Sequence, residues 1–361
     1  MSDTSYTGAD IVVLTAPEAI RKRPGMYLGS VDSHGLHHLL WEVVGNVIDQ
    51  HLGGHASRMR IQIDGHQISV EDDGDGIPVD PVGETGKTVL ELVMTEMCAS
   101  GLRRPHVHLG ARMHGIGLVP VNALCERLEV EVWRAGRAYV ARFARGVLRG
   151  AVEDLGPTAR HGSRLTLVPD FTILDRVAWD RAVIGDRLRE LAALNPALTL
   201  VLDHETYRCS DGLSDLVRHH TQEPWSVPIR LRENHAGEVD VDVALQWTDR
   251  AGSAVHGFVG QSRGGGVHVE ALRWGLVQAV RGLDEALVRV NAPALFEVVG
   301  RGLVAAVSVA LEAPRFGNPS RDWLENPEVG AAVRTTVAAG LSSILATDHA
   351  LRDRLLARIP R

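Results

Sequence analysis

The segment Leu36-His37-His38-Leu39-Leu40-Trp41-Glu42-Val43-Val44-Gly45-Asn46-Val47-Ile48-Asp49-Gln50-His51 decides how the N-terminal half of this 361-residue chain is read. Its apolar residues recur at helical spacing, which predicts a buried helix that Gly45 weakens slightly. The polar residues are not scattered: His38, Glu42, Asn46 and Asp49 stand at i, i+4, i+8 and i+11 and share one face. A polar stripe on an otherwise apolar helix needs a partner.

Downstream, Met59, Ile61 and Ile63 alternate with polar residues, Asp64-Gly65 reads as a hairpin turn, and Ile68 and Val70 resume the alternation. Asp72 then occupies the apolar face of the second strand, and the loop Gly74-Asp75-Gly76-Ile77-Pro78 stops that strand. Helices are expected over Thr88 to Met97 and Val119 to Arg127, with Pro120 tolerated in the first turn. Between them an irregular stretch ends in His114-Gly115-Ile116-Gly117. Strands follow near Leu128 to Trp133, Ala138 to Phe143 and Arg164 to Val168, then a helix over Ile184 to Leu194.

Gln222-Glu223-Pro224 marks a boundary, giving domains at 1–220 and 221–361, as the length leads one to expect. The second domain opens on the alternating strand Val239 to Trp247. It continues with a strand at Val255 to Val259, the run Gly264-Gly265-Gly266, a helix over Val269 to Arg281, a strand Leu303 to Leu311 and one long C-terminal helix.

Three elements carry chemistry. Glu42 offers a general base, and the amide oxygen of Asn46 can complete the shell of a hard cation. The Asp72 carboxylate can accept from an exocyclic amine, a direction of bonding that selects adenine over guanine. Backbone amides over His114 to Gly117 can hold phosphate.

Composition bounds the alternatives. A formal charge of −7 argues against a dedicated nucleic-acid binder. Lys22 and Lys87 are the only lysines among 38 basic residues, so a required cation elsewhere must be Arg. Cys98, Cys125 and Cys209 are too few and too separated for a disulfide framework and read as core thiols. The polar start of the chain lacks signal-peptide order and no run of about 18 apolar residues is evident, so a cytoplasmic protein without a membrane span is expected. Gly86-Lys87-Thr88 imitates a phosphate-binding loop, yet Pro81 stands where its first glycine is needed, so it reads as a helix start. His106, His108 and His114 lack zinc spacing. Arg352, Arg354, Arg358 and Arg361, interleaved with leucines, read as the outer face of an amphipathic helix.

The ordered set Arg21-Lys22-Arg23-Pro24-Gly25-Met26-Tyr27, Gly35 to His38, Glu42, Asn46, Asp72-Asp73-Gly74 to Pro78, His114 to Gly117 and Val121-Asn122-Ala123-Leu124 resembles the N-terminal half of DNA gyrase B and related topoisomerases. Val243 to Trp247, Gly265 to His268 and Gly302 to Val309 extend the resemblance into the second domain. It implies an α+β fold: a GHKL (Bergerat) ATPase sandwich followed by a transducer domain of ribosomal-protein-S5-like fold with a left-handed βαβ crossover.

The resemblance further implies ATP and Mg2+ as ligands. Glu42, supported by His38, would polarise the attacking water, and Asn46 would hold magnesium. Asp72 would take the adenine amine with Ser163 in its water network, and Asp49, Gly76, Ile77 and Pro78 count among the nucleotide-binding residues. The amides of Met113, His114, Gly115, Ile116 and Gly117 would hold the phosphates. An N-terminal arm with Tyr6 and Ile11 would reach over a partner copy's nucleotide, making an ATP-dependent homodimer.

Departures from the family pattern accompany these matches. Pro319-Ser320-Arg321 replaces a Gln-Thr-Lys loop, leaving Arg321 as its cation. Gly45 replaces an Asp, Asp75 an Arg, Gln50 its Glu partner, and Ala111-Arg112 a glycine pair. The chain stops about where the transducer ends, so the cleavage domain is expected to be lacking. The expected function is a nucleotide-gated homodimeric clamp with slow ATP hydrolysis; the alternative is a non-catalytic module or decoy that regulates or protects gyrase. Contact with DNA or with another gyrase chain stays open, and a histidine-kinase reading lacks a phospho-accepting helix before the site.

Overall fold

The computed structural model describes residues 13–97, 117–318 and 320–359. Tyr6, Ile11, Cys98, His106, His108, Ala111, Arg112, the segment Met113 to Ile116, Pro319 and Arg361 lie outside the described residues. Those described fall into two compact units, one of residues 13–97, 117–184 and 201–205, the other of residues 185–200 and 206–318 with 320–359.

The first elements in chain order are α1 (Ala16–Lys22), α2 (Gly25–Leu28), α3 (Ser33–Leu52), β1 (Arg58–Asp64), β2 (Gln67–Asp72), α4 (Val89–Thr95) and α5 (Val119–Leu124). They are followed by β3 (Cys125–Arg134), β4 (Arg137–Ala144), β5 (Val147–Leu148), β6 (Glu153–Pro157), β7 (Gly162–Pro169), α6 (Arg181–Leu194), β8 (Thr199–Leu202) and β9 (Glu205–Tyr207). One nine-stranded sheet runs β5-β4-β3-β7-β2-β1-β8-β9, with β6 beside β4. Its centre is antiparallel, and β2 lies between β1 and β7.

Helix α3 forms where the periodicity predicts it. The Asp32 side chain accepts from His34 N (2.9 Å) and Gly35 N (3.3 Å), capping its start. Leu36, Leu39, Leu40, Val44 and Ile48 are fully buried on it, as are Met59, Ile61 and Ile68 on the strands. Each such side chain contributes about 1.5–3 kcal/mol through lost apolar exposure.

Three local readings are corrected. The hairpin turn is Gly65-His66, because Asp64 stays in the ladder opposite Gln67. Helix α4 starts at Val89 behind a capping box of Thr88 and Glu91 and ends at Thr95, so Gly86-Lys87-Thr88 is indeed a helix start. Helix α5 stops at Leu124 rather than Arg127, since Cys125 turns extended and pairs with Pro169. Sheet pairing outweighs the helix propensity of three residues there.

The second unit continues with α7 (Leu213–His220), β10 (Ile229–His235), β11 (Val239–Trp247), β12 (Ala254–Val259), β13 (Ser262–Arg263), β14 (Gly265–Gly266) and α8 (Val267–Arg281). It ends with α9 (Ala292–Val299), β15 (Leu303–Ala310), β16 (Trp323–Leu324), α10 (Pro327–Thr347) and α11 (His349–Ala357). Its main sheet runs β10-β11-β15-β12-β13, and β12 pairs parallel with β15, so the connection through α8 is a crossover unit.

The long C-terminal helix is two helices. Thr347 ends the first, and the Asp348 side chain caps the second by accepting from Leu351 N at 3.0 Å. Helix α10 is long and apolar enough to cross a membrane by length and composition, contrary to the sequence reading. It is a core helix: Val329, Val333, Val337, Leu341 and Leu345 are fully buried. It also packs closely on α8, where a Cβ on Gly275 would stand 2.7 Å from Val337 Cβ. Nor does every terminal arginine face outward. Arg358 lies 4.0 Å over the Trp225 ring and donates to the Arg301 and Thr248 carbonyls. Arg354 stacks on the same ring at 5.2 Å. Cys125 and Cys209 are buried free thiols, as expected.

His268, at the start of α8, is fully buried, and burial drives its pKa down to about 4 against a small opposing pull from the Gly264 backbone. The unfolded chain therefore takes up this proton first as pH falls. Stability from the neutral ring is present above pH ~6.5 and is lost as pH drops from there toward about 4. In thermal melts between pH 7.5 and 4.5 the stability of His268→Gln relative to the parent is expected to rise as the pH is lowered, and a constant difference would contradict this.

Candidate functional site

The polar stripe of α3 is built as the spacing predicts. Glu42 and His38 are buried, whereas Asn46, Asp49 and Gln50 are partly exposed. Asn46 Nδ2 donates back to the Glu42 carbonyl at 2.7 Å, which leaves Oδ1, an acceptor, as the group the residue can offer outward. The His38 ring lies 5.0 Å from that of His34, tilted by 59°.

One turn beyond Asn46 the stripe reaches a loop. Gln50 Oε1 accepts from Asp75 N at 3.4 Å, and a Cβ on Gly74 would meet Asp72 Oδ1 at 2.8 Å and Gln50 Oε1 at 3.1 Å. The helix carrying Glu42 and Asn46 is thereby tied to the loop that follows Asp72.

Asp72 closes β2 opposite Met59, and its Oδ1 accepts from Gly74 N at 2.8 Å. Its pKa is raised to about 6. Burial is the largest cause, the Asp73 and Glu71 carboxylates add to it, and the Gly74 and Ser163 amides oppose it. The next residue behaves oppositely: Asp73 is also penalised by burial, but Ser57 N, Ser57 Oγ and Arg58 N donate to it at 2.8, 2.6 and 2.8 Å, and its pKa is lowered. Two adjacent carboxylates thus take different tasks: Asp73 braces the β1 entry with three donors, while burial dominates at Asp72.

Strand β7 brings in Ser163, whose buried Oγ accepts from Ile77 N at 3.1 Å. Gly76 has φ +76°, and a Cβ there would stand 2.9 Å from both the Gly162 and Trp133 carbonyls. Asp72, Gly76, Ile77 and Ser163 therefore converge through the β2–β7 neighbourhood, and Pro78, next in the loop, is partly buried. Gly117, at φ +68°, precedes α5, while Met113 to Ile116 are outside the described residues. Arg321 belongs to the second unit, at φ +54°, with its N–H donating to Asn318 O at 3.1 Å and its guanidinium 5.7 Å from the Phe316 ring centroid.

Sequence reasoning missed two residues of this region. Arg134 Nη1 donates to the Asp75 and Gly76 carbonyls at 3.0 and 3.1 Å, holding the loop from β3. Gly162 has φ +107°, and a Cβ there would collide with the Asp72 carbonyl oxygen. The Gly beside Ser163 was the available signal for the second. No local pattern marks the first, because 58 and 59 residues separate Arg134 from its acceptors.

A family described as "Histidine kinase-, DNA gyrase B-, and HSP90-like ATPase" matches residues 31–173, and one described as "DNA gyrase B" matches 212–360. The chain belongs to the DNA gyrase B family. It is 36% identical to the DNA gyrase B of Archaeoglobus fulgidus over 97% of its length and 58% of that protein. With that of Thermotoga maritima it shares 32% identity over 98% of itself and 59% of the relative. It therefore spans rather more than half the length of these curated relatives. Among solved structures, the 43K ATPase domain of Thermus thermophilus gyrase B in complex with an aminocoumarin matches with a TM-score of 0.76 at 28% identity, covering 96% of this chain and 94% of that one. The gyrase B protein from Myxococcus xanthus gives 0.81 at 26% identity, covering 95% and 99%. The GHKL and transducer fold expected from the resemblance holds.

Within this gyrase B-like chain, Gln50 accepts from the Asp75 backbone, and the Asp75 carboxylate pairs with His55 Nδ1 at 3.0 Å. Both side chains of that pair are about half exposed, so it is a weak tether. A separate cavity of about 520 Å³, lined by Glu190, His220, His256 and Arg263 among others, lies wholly in the second unit and shares no residue with the Glu42 region.

The close approach at Gly162 yields a direct prediction. Gly162→Ala is expected to destabilise the protein by about 3 kcal/mol or more, since it combines a positive φ with a backbone collision. Denaturant unfolding measures it, and a loss below about 1 kcal/mol would show that the β2–β7 junction can relax.

Proposed function

We propose that the chain is an ATP-binding, slowly ATP-hydrolysing member of the gyrase B family that works as a nucleotide-gated homodimeric clamp, with domains dividing at 220/221. The observation that carries the ligand assignment is the continuity from Glu42 and Asn46 along α3 to Gln50, which touches the loop holding Asp72. Family membership supports the same reading.

The residues suit the ligand. Asp72 presents a largely buried carboxylate acceptor, and the glycines at 76 and 162 allow the close backbone approaches among the Asp72 loop, β3 and β7 that hold it in place. Asn46 Oδ1 would hold Mg2+, and the ion would neutralise phosphate charge. Glu42, within the apolar body of α3, takes the proton of the attacking water, with His38 one turn earlier as its support. The family resemblance would add Arg321 as the cation for the developing phosphate charge. The amides of Met113 to Gly117 hold the phosphates, and Tyr6 and Ile11 make the arm contact across the dimer.

Titration calorimetry with the β,γ-imido analogue of ATP, with and without Mg2+, is expected to show one site per chain, and sedimentation a shift from monomer to dimer on binding. A chain that bound no adenine nucleotide would end this reading. Binding without turnover, with another gyrase chain co-purifying, would replace it by the non-catalytic regulator.

A further inference from the structure

The loop from Gly74 to Ile77 follows Asp72 outside any strand or helix, so its backbone groups look to side chains for partners. Gly74 N donates to Asp72 Oδ1 (2.8 Å), Asp75 N to Gln50 Oε1 of α3 (3.4 Å) and Ile77 N to Ser163 Oγ of β7 (3.1 Å). On the carbonyl side, Gly74 O lies 3.3 Å from His161 Nδ1, whereas Asp75 O and Gly76 O are both taken by Arg134 Nη1, at 3.0 and 3.1 Å.

The β3–β4 hairpin places Arg134 for this. Arg134 closes the hairpin opposite Arg137, across a turn in which Ala135 and Gly136 both have positive φ, +52° and +74°. One residue earlier, Trp133 pairs with Gly162, and the Gly76 backbone packs on that pair: a Cβ on Gly76 would stand 2.9 Å from both carbonyl oxygens. The loop thus rests on the end of the β3–β7 ladder, and Arg134, the next residue along β3, bonds to it by its side chain. Two successive carbonyls converge on one positively charged donor, at shorter range than the contacts from Gln50 and His161. The residues flanking this held pair make the contacts at the base end: Gly74 bonds to the Asp72 carboxylate and Ile77 to Ser163. Any shift of the pair passes to them through a single peptide link on either side.

We propose that Arg134 is a positioning residue for the adenine end of the nucleotide: it holds Asp75 and Gly76 so that the Asp72 carboxylate and Ser163 are aimed before the base arrives. The inference rests on the reading above that Asp72 receives the exocyclic amine. A preformed loop raises affinity because it need not be ordered on binding. It raises selectivity too, because an acceptor fixed in place opposes a base that carries a carbonyl where adenine carries its amine.

The test uses the full chain with adenosine and inosine, which differ in that amine and carbonyl, measured by titration calorimetry. Arg134→Met keeps the apolar stem and removes the donor. It is expected to weaken adenosine by about tenfold and to shrink the preference for adenosine over inosine by about fivefold. A variant that is merely less stable weakens both nucleosides alike and leaves that ratio unmoved. Arg134→Lys is expected to bring adenosine back to within about threefold of the parent, since one nitrogen makes both bonds and Nζ carries three N–H donors. Arg137→Gln, across the same turn but paired with Asp154 at 2.7 Å, is expected to change neither nucleoside by more than about twofold. Amide exchange in the ligand-free protein reads the loop directly. In Arg134→Met the Gly74 and Ile77 amides are expected to exchange about tenfold faster, with the β3–β7 ladder around Val130 and Leu165 unchanged. Should Arg134→Met fail to fold, Arg134→Gln takes its place in both measurements. An unchanged preference, no rescue by Lys, or unchanged exchange at Gly74 and Ile77 would overturn the proposal. A parent chain that bound neither nucleoside would instead sink the nucleotide reading, while the exchange rates still report whether Arg134 holds the loop.

Discussion

Asp72→Asn is expected to weaken adenine nucleotide binding by about a hundredfold or more and, at the same time, to raise the melting temperature of the ligand-free protein at pH 8. The two effects have one origin. The Asp72 carboxylate has a pKa raised from 3.8 to about 6, mainly because burial disfavours its charged form. The native state therefore binds this proton more tightly than the unfolded chain does. The contribution to stability is fully present below pH ~3.8 and is lost as pH rises through about 6, so at pH 8 the charged group costs about 2–3 kcal/mol. Asn removes that cost, and replaces an acceptor-only carboxylate by an amide whose NH2 half cannot accept from an exocyclic amine. Melting curves at pH 4.5, 6 and 8 check the stability half: the gain should grow with pH. A variant that bound ATP as well as the parent, or was less stable at pH 8 than at pH 4.5 relative to it, would contradict the assignment. By the same linkage, nucleotide affinity of the parent should decline below about pH 6 as Asp72 takes up its proton.

Glu42→Ala is expected to reduce kcat for ATP hydrolysis by about 10²–10⁴-fold, the range for loss of a positioned general base, with the dissociation constant of the non-hydrolysable analogue within about threefold. Glu42→Gln keeps the side-chain volume in this buried position and should lose turnover to a similar degree. A steady-state ATPase assay beside the calorimetry separates the two quantities. Turnover equal to the parent's in either variant would remove Glu42 from the chemistry.

The first half of the fold was legible because its signals are local and mutually consistent. The α3 period, the alternation over Met59 to Val70 and the turn glycines each require only a few neighbouring residues to be read together. Where the reading slipped, a distant partner decided. Cys125 leaves the helix because Pro169 pairs with it, and Asp64 stays in its strand because Gln67 opposes it. The C-terminal helix breaks at Asp348 because its carboxylate caps Leu351, a local signal that the apolar run concealed. Strands β8, β9 and β10 were not foreseen: β8 and β9 are too short to display a period, and in β10 the polar run Arg232 to His235 ends the alternation after Leu231.

By itself, then, the sequence determined the one-dimensional part of the candidate site: Glu42 and Asn46 on a single helix face, Asp72 at a strand end and the glycines after it, all fixed by residue spacing along regular elements. Tertiary structure alone decided the rest. Ser163 holds Ile77 across 86 residues, Arg134 holds the Asp75 loop across 59, and His161 meets the Gly74 carbonyl across 87. The reason is physical: a helix or strand period constrains side-chain direction only within its own element. Donors and acceptors from separate elements meet only when the packed sheet sets their distance, and that same packing sets the pKa of Asp72.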